Sequence, residues 1–188
     1  MVTEARKGRA GDDSIRFRIE QAAVHLGYDV MNKGLSGSCM CEPAIADYLA
    51  SLSVDVLSLE LGINMLSFFE KEEFESRVRH LLQRIKEKSP AKEIFVIDMF
   101  CNKAPLLKDH TTRQYRNYPV FKEIVKRLVE ETEDNRMIKI DGKEVASDET
   151  YLSVDLLHSS DQGHILMGKN LAGKMRRKFT CVKENDMM

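Results

Sequence analysis

Short, partly β-branched apolar runs alternate along this chain with longer segments of helical spacing, and that alternation leaves few folds open. Residues 28–32, 54–61, 93–99 and 137–140 read as buried strands. Between and after them, 14–26 places Ile15, Ile19, Ala22, Ala23 and Leu26 on one helical face, with Gly27 as its C-cap. Residues 42–51 start a helix with Pro43 at the first position. Residues 71–88 repeat Phe74, Val78, Leu81, Leu82 and Ile85, and 118–131 repeat Phe121, Ile124, Val125 and Leu128. The last helix, 162–178, carries Ile165, Leu166, Leu171 and Met175. Strand–helix alternation implies an α/β fold, a parallel sheet with helices on both faces. One domain over 1–188 is expected, with 180–188 as a polar tail that frays.

Charge excludes some partners. Lys+Arg number 29 against 30 Asp+Glu, a formal net charge of -1, so nothing draws the chain generally to nucleic acid or to an anionic membrane. The apolar runs are too short to span a bilayer, and residues 1–11 are too polar for a secretory signal. Cys39, Cys41, Cys101 and Cys181 read as free thiols of a cytoplasmic protein, since a domain of this size needs no staples. Cys39 and Cys41 form a C-x-C with no second pair nearby to complete a zinc site.

In a parallel sheet of this kind, ligands bind where the strands end. The loops expected to hold chemistry are therefore 33–41, 62–69, 100–116 and 153–164. The last contains Asp155-Leu156-Leu157-His158, followed by Ser159-Ser160-Asp161-Gln162-Gly163. A carboxylate three residues before a histidine can accept the imidazole Nδ1–H, fix the tautomer and stabilise the imidazolium formed when the ring takes a proton. Asp161 reads as the cap of the last helix. The loop Gly34-Leu35-Ser36-Gly37-Ser38 can turn backbone N–H groups into a cleft, and Gly62-Ile63-Asn64 offers a side-chain amide, both able to hold an oxyanion. Each of these is weak alone. The basic loop 100–116, with Lys103, Lys108, His110, Arg113 and Arg116, reads as a surface loop or as a lid that chooses substrate.

Order and spacing join them. Gly-x-Ser-Gly after one strand, Gly-x-Asn after the next and Asp-x-x-His before the last helix resemble blocks II, III and V of the SGNH (GDSL-like) esterases and acylhydrolases, over about residues 11–173. The resemblance implies the three-layer α/β/α, flavodoxin-like SGNH hydrolase fold. It implies that Gly37 gives a backbone N–H and Asn64 a side-chain N–H to an oxyanion hole, that His158 is the general base and that Asp155 orients it. It further implies hydrolysis of a small-molecule acyl ester, as by a serine esterase or a carbohydrate deacetylase, through an acyl-enzyme without metal or organic cofactor.

The chain departs from the pattern at block I, the Gly-x-Ser that ends the family's first, central strand. Nothing before Ser14 resembles an apolar strand, and Val2-Thr3-Glu4-Ala5 resembles the residues that follow the serine in relatives. The expectation is a sheet missing its first strand, with 28–32 and 54–61 either paired directly or flanking a groove, and a chain that is itself a poor esterase. Ser14, in Gly11-Asp12-Asp13-Ser14, suits a helix N-cap, and Ser36 lies in a loop whose chemistry is backbone; both are weak nucleophile candidates. Two alternatives stay open. One is a truncated or non-catalytic relative that keeps the cleft. The other is a flavodoxin-like nucleotide binder, disfavoured because the chain has neither a G-x-G-x-x-G turn nor a Walker A loop.

Overall fold

Successive residues of the central strands face opposite layers, and this period of two builds the architecture. In the computed structural model, Leu57 and Leu59, like Ile94 and Val96, enter one apolar core, while Val56, Phe95 and Ile97 enter another. The structure describes residues 2–7, 18–34 and 37–185, with backbone alone for 2–7 and no side chains beyond Arg176. The strands are β1 (Val2–Lys7), β2 (Tyr28–Asn32), β3 (Val56–Glu60), β4 (Glu93–Ile97) and β5 (Met137–Ile140), and the helices are α1 (Arg18–Leu26), α2 (Pro43–Ala50), α3 (Lys71–Lys88), α4 (Arg113–Thr132) and α5 (Asp161–Asn185). Helices α2, α3 and α4 supply the first core, where the Phe74 and Phe121 rings stack at 3.7 Å. Helices α1 and α5 supply the second, through Ile19, Ala22, Met167 and Leu171. The result is the three-layer α/β/α arrangement.

The strand order is β2-β1-β3-β4-β5, with β3, β4 and β5 parallel. The first strand corrects an expectation. Residues 28–32 and 54–61 do not pair across a gap, because Val2–Lys7 lies between β2 and β3 and runs antiparallel to both, Thr3 opposite Asn32 and Val2 opposite Leu59. A buried strand edge leaves unpaired N–H and C=O groups, and Val2–Lys7 pairs them at little apolar content because the ladder is a backbone interaction. That is why its sequence, VTEARK, gives no strand signal. It contains no serine.

Other boundaries shift for local reasons. α4 begins at Arg113 rather than at 118 and contains Pro119; Thr112 caps it by accepting the Tyr115 N–H at 3.4 Å. A proline ordinarily marks a helix start, but one missing N–H is tolerated where the rest of the helix packs. Ser160, not Asp161, caps α5, its Oγ accepting the Gly163 N–H at 2.9 Å, and Asp161 sits in the first turn, where a carboxylate complements the helix dipole. α5 continues past 178 to Asn185, into the tail expected to fray.

Candidate active site

The Asp155-x-x-His158 segment is a closed loop whose ends are tied to each other. Leu152 and Ser159 form an antiparallel bridge, the Ser153 N–H donates to the His158 carbonyl at 2.8 Å, and the Leu156 N–H donates to the Ser153 carbonyl at 3.0 Å. Closing so few residues forces Leu156 into the left-handed region at φ +54°. Inside this loop the Asp155 Oδ1 accepts from Ser153 Oγ at 2.8 Å, from the Leu157 N–H at 2.9 Å and from the His158 N–H at 3.0 Å. Its Oδ2 faces His158 Nδ1 at 2.5 Å. The His158 ring bond, then the two backbone N–H groups and the Ser153 hydroxyl, hold the Asp155 carboxyl well below the usual carboxylate range. Asp155 is therefore an anion that accepts Nδ1–H, which leaves Nε2 as the basic nitrogen, on an imidazole whose side chain is 77% exposed.

The loop's position comes from the segment after β4. Lys103 donates its N–H to the Leu156 carbonyl at 2.7 Å and its Nζ to the Asp155 carbonyl at 3.3 Å. Lys103 is itself placed by an Asx turn, in which Asn102 Oδ1 accepts the Ala104 N–H at 2.9 Å and Nδ2 donates to the Phe100 carbonyl at 2.9 Å. The Asp–His loop is thus fixed to the carboxyl end of β4. Gly163 completes the junction: a Cβ there would lie 1.9 Å from the Tyr151 carbonyl oxygen.

Asn64 lies at the same edge, in the turn that follows β3. Gly62 opens that turn at φ +116°, and a Cβ on it would press on Met99 at 3.1 Å. With its amide oxygen turned to the loop after β2, Asn64 accepts the Ser38 N–H at 3.3 Å and the Cys39 N–H at 3.0 Å, which puts its Nδ2 donor on the other side of the amide. Gly37 directly precedes these two residues, exposed and at φ +67°. The four expected residues thus fall into two pairs at one sheet edge, Asp155 with His158, and Asn64 with the loop of Gly37. Ser14 and Ser36 lie outside the described residues.

Sequence reasoning missed the groups behind this edge. Arg18 Nη2 meets Glu60 Oε2 at 2.9 Å, both side chains nearly buried, and the guanidinium lies 4.5 Å over the Phe100 ring. Burial pulls the Arg18 pKa down despite the opposing pull of Glu60 and Glu20. The Arg18 N–H donates to His164 Nδ1 at 3.3 Å, which joins α1, β3, the loop after β4 and α5. A second buried cluster closes the ends of β4 and β5: Asp98 accepts from Lys122 at 2.6 Å, from Lys139 at 2.5 Å and from the Gly142 N–H at 2.8 Å. A charge inside an apolar strand end was the only signal in the sequence for either cluster. Loop 100–116 is tied down by Arg113, which donates to the Phe68 carbonyl at 3.2 Å, and by a stack of His110 on Tyr115 at 4.1 Å.

Solved structures share this fold at low identity. Salicylyl-acyltransferase SsfX3 of a tetracycline biosynthetic pathway aligns with a TM-score of 0.72 at 19% identity, over 94% of this chain and 52% of its own. A GDSL-like lipase of Bacteroides ovatus aligns at 0.71 and 20% identity, over 87% and 47%. Est24, a carbohydrate acetylesterase from Sinorhizobium meliloti, aligns at 0.67 and 16% identity, over 89% and 88%. The chain thus spans about half the length of the first two. No curated protein matches it. Residues 22–176 match the GDSL-like Lipase/Acylhydrolase family, a span that runs from α1 through the Asn64 turn and the Asp155–His158 loop into α5, and the chain belongs to that family.

Proposed function

We propose that this fold hydrolyses a small acyl ester through an acyl-enzyme, with His158 as general base, Asp155 as its orienting partner, and the Gly37 N–H and Asn64 Nδ2 as oxyanion donors. The observation that carries the reading is the 2.5 Å contact between Asp155 Oδ2 and His158 Nδ1. A carboxylate anchored by three further donors holds the ring with Nε2 outward, ready to take a hydroxyl proton as the oxygen attacks the ester carbonyl. As the tetrahedral oxyanion forms, the Asn64 amide supports it without reorganising, because Ser38 and Cys39 already fix its other end. The same imidazolium then returns its proton to the leaving alcohol, and water repeats the sequence on the acyl-enzyme. The presence of a carbohydrate acetylesterase among the structural neighbours supports a short acyl group on a polar alcohol.

A non-catalytic reading is favoured by one observation: Val2–Lys7 occupies the slot between β2 and β3, runs antiparallel to both and brings no serine there. A fluorophosphonate probe separates the two readings. Stoichiometric labelling of the chain, abolished by His158→Ala and by either Ser14→Ala or Ser36→Ala, supports hydrolysis and names the serine. Absence of labelling together with no turnover of p-nitrophenyl acetate supports the non-catalytic relative.

A further inference from the structure

One cation stands beside the Asp155–His158 pair with most of its hydrogen-bonding capacity unspent. Lys103 Nζ reaches the Asp155 carbonyl at 3.3 Å. An ammonium carries three donors, and the carbonyl takes one of them. Among the described residues Lys103 meets no carboxylate, and its side chain is exposed. The root of that side chain is nevertheless fixed. The Lys103 N–H donates to the Leu156 carbonyl at 2.7 Å, and Asn102, only 2% exposed, holds the turn through the Phe100 carbonyl and the Ala104 N–H. Asp155 then joins ammonium to imidazole: its carbonyl takes Lys103 Nζ and its Oδ2 faces His158 Nδ1 at 2.5 Å. Across the length of one aspartate the two groups lie at most roughly 11 Å apart.

We propose that Lys103 forms a subsite for a carboxylate on the leaving alcohol, so that the substrate is the acyl ester of an anionic alcohol. The choice of side rests on the catalytic reading above. His158 returns its proton to the leaving oxygen, so the alcohol lies on the His158 side of the reacting carbon, while the carbonyl oxygen points to the Gly37 N–H and the Asn64 amide. Lys103 is bonded to the loop that carries His158, and its ammonium therefore stands by the alcohol rather than by the acyl group.

The charge follows from the donors. A singly charged carboxylate accepts the two remaining N–H bonds and neutralises the ammonium, whereas a phosphate monoester, at about −1.5 to −2, calls for a second cation. Of the carboxylates that precede the Asp–His loop, Asp141 and Glu144 are taken by Lys122 and Lys174, and Asp148 accepts from Ser147 and Thr150. Glu149 opposes an incoming anion, and Lys108, on the loop of Lys103, favours it. The ammonium touches neither the reacting carbon nor the proton in transfer, so it sets preference among alcohols.

The test compares two acetate esters that share acyl group and ring, p-acetoxybenzoate, which is anionic, and its neutral methyl ester. The quantity read is the ratio of their kcat/KM values, because a displaced His158 slows both esters alike and leaves the ratio unchanged. Lys103→Met is expected to lower the anionic-to-neutral ratio roughly two- to fivefold, the range of an exposed ion pair, and Lys103→Arg to keep it. Sodium chloride at about 1 M, where the Debye length is about 3 Å, lowers the native ratio toward that of Lys103→Met. The same ratio is read without turnover from the binding of p-hydroxybenzoate and its methyl ester, followed by the ring resonances of His158. A ratio unmoved by Lys103→Met, a ratio lost equally in Lys103→Arg, or a His158 ring that neither compound shifts would overturn the subsite. Absence of turnover with the binding pattern intact counts against the esterase reading alone, and turnover with an unmoved ratio counts against the subsite alone.

Discussion

Glu60→Ala isolates the buried pair behind the site. It removes the carboxylate that meets Arg18 at 2.9 Å and leaves a guanidinium whose side chain is only 11% exposed. Breaking a buried ion pair from one side costs about 3–5 kcal/mol, because the surviving charge loses its partner without regaining water. Among the described residues, the attraction of Glu20 and the Phe100 ring at 4.5 Å still act on the guanidinium, the latter contributing roughly 1 kcal/mol. The lower end, about 3 kcal/mol, is therefore expected, which for a chain of this length lowers Tm by roughly 6–12 °C. Burial outweighs the attraction of Glu60 in setting the direction of the Arg18 pKa, so Glu60 does not fully offset the cost of burying the guanidinium. It follows that Arg18→Met combined with Glu60→Leu, which removes both charges and keeps the volume, returns stability to within about 1 kcal/mol of the native chain. Urea titration and thermal melting followed by circular dichroism measure both variants. A Glu60→Ala protein that melts within about 2 °C of native, or a double variant as unstable as the single one, would refute the reasoning.

Three further outcomes are expected. If p-nitrophenyl acetate is turned over, Asn64→Ala lowers kcat about 10²–10³-fold, as loss of one oxyanion donor does, and His158→Ala lowers it further; equal turnover by native and His158→Ala proteins removes the triad roles. Gly163→Ala drives a methyl group into the Tyr151 carbonyl, 1.9 Å from the ideal Cβ, and is expected to cost about 1–3 kcal/mol in urea titration. His164 has its pKa lowered from 6.5, chiefly by burial and then by Arg18, against the opposing pull of Asp161 and Glu20. The unfolded chain then takes up the proton first, so this contribution is complete above pH 6.5 and declines as pH falls from there through the folded value. The fall in Tm from about pH 7.5 to 5 should shrink in His164→Gln, which keeps an acceptor for the Arg18 N–H; an identical fall in both proteins counts against it.

Much of the architecture follows from local sequence. The alternation of 56–60 and 93–97 between two apolar faces, and the 3.6-residue stripes of α3 and α4, fix strand, helix and layer, because burial of each face has one geometric solution. The Asp155–His158 contact was legible for a similar reason: a carboxylate and an imidazole three residues apart in one closed loop can reach each other without help from elsewhere. What needed the tertiary structure were contacts whose partners are far apart in the chain. Val2–Lys7 enters the sheet through backbone pairing that its polar side chains do not announce. Lys103 pins the Asp–His loop, and Arg18 finds Glu60, across 52 and 42 residues. The Asn64 amide meets the Ser38 and Cys39 N–H groups only because the loops after β2 and β3 end at the same edge, which strand order decides and no local pattern encodes.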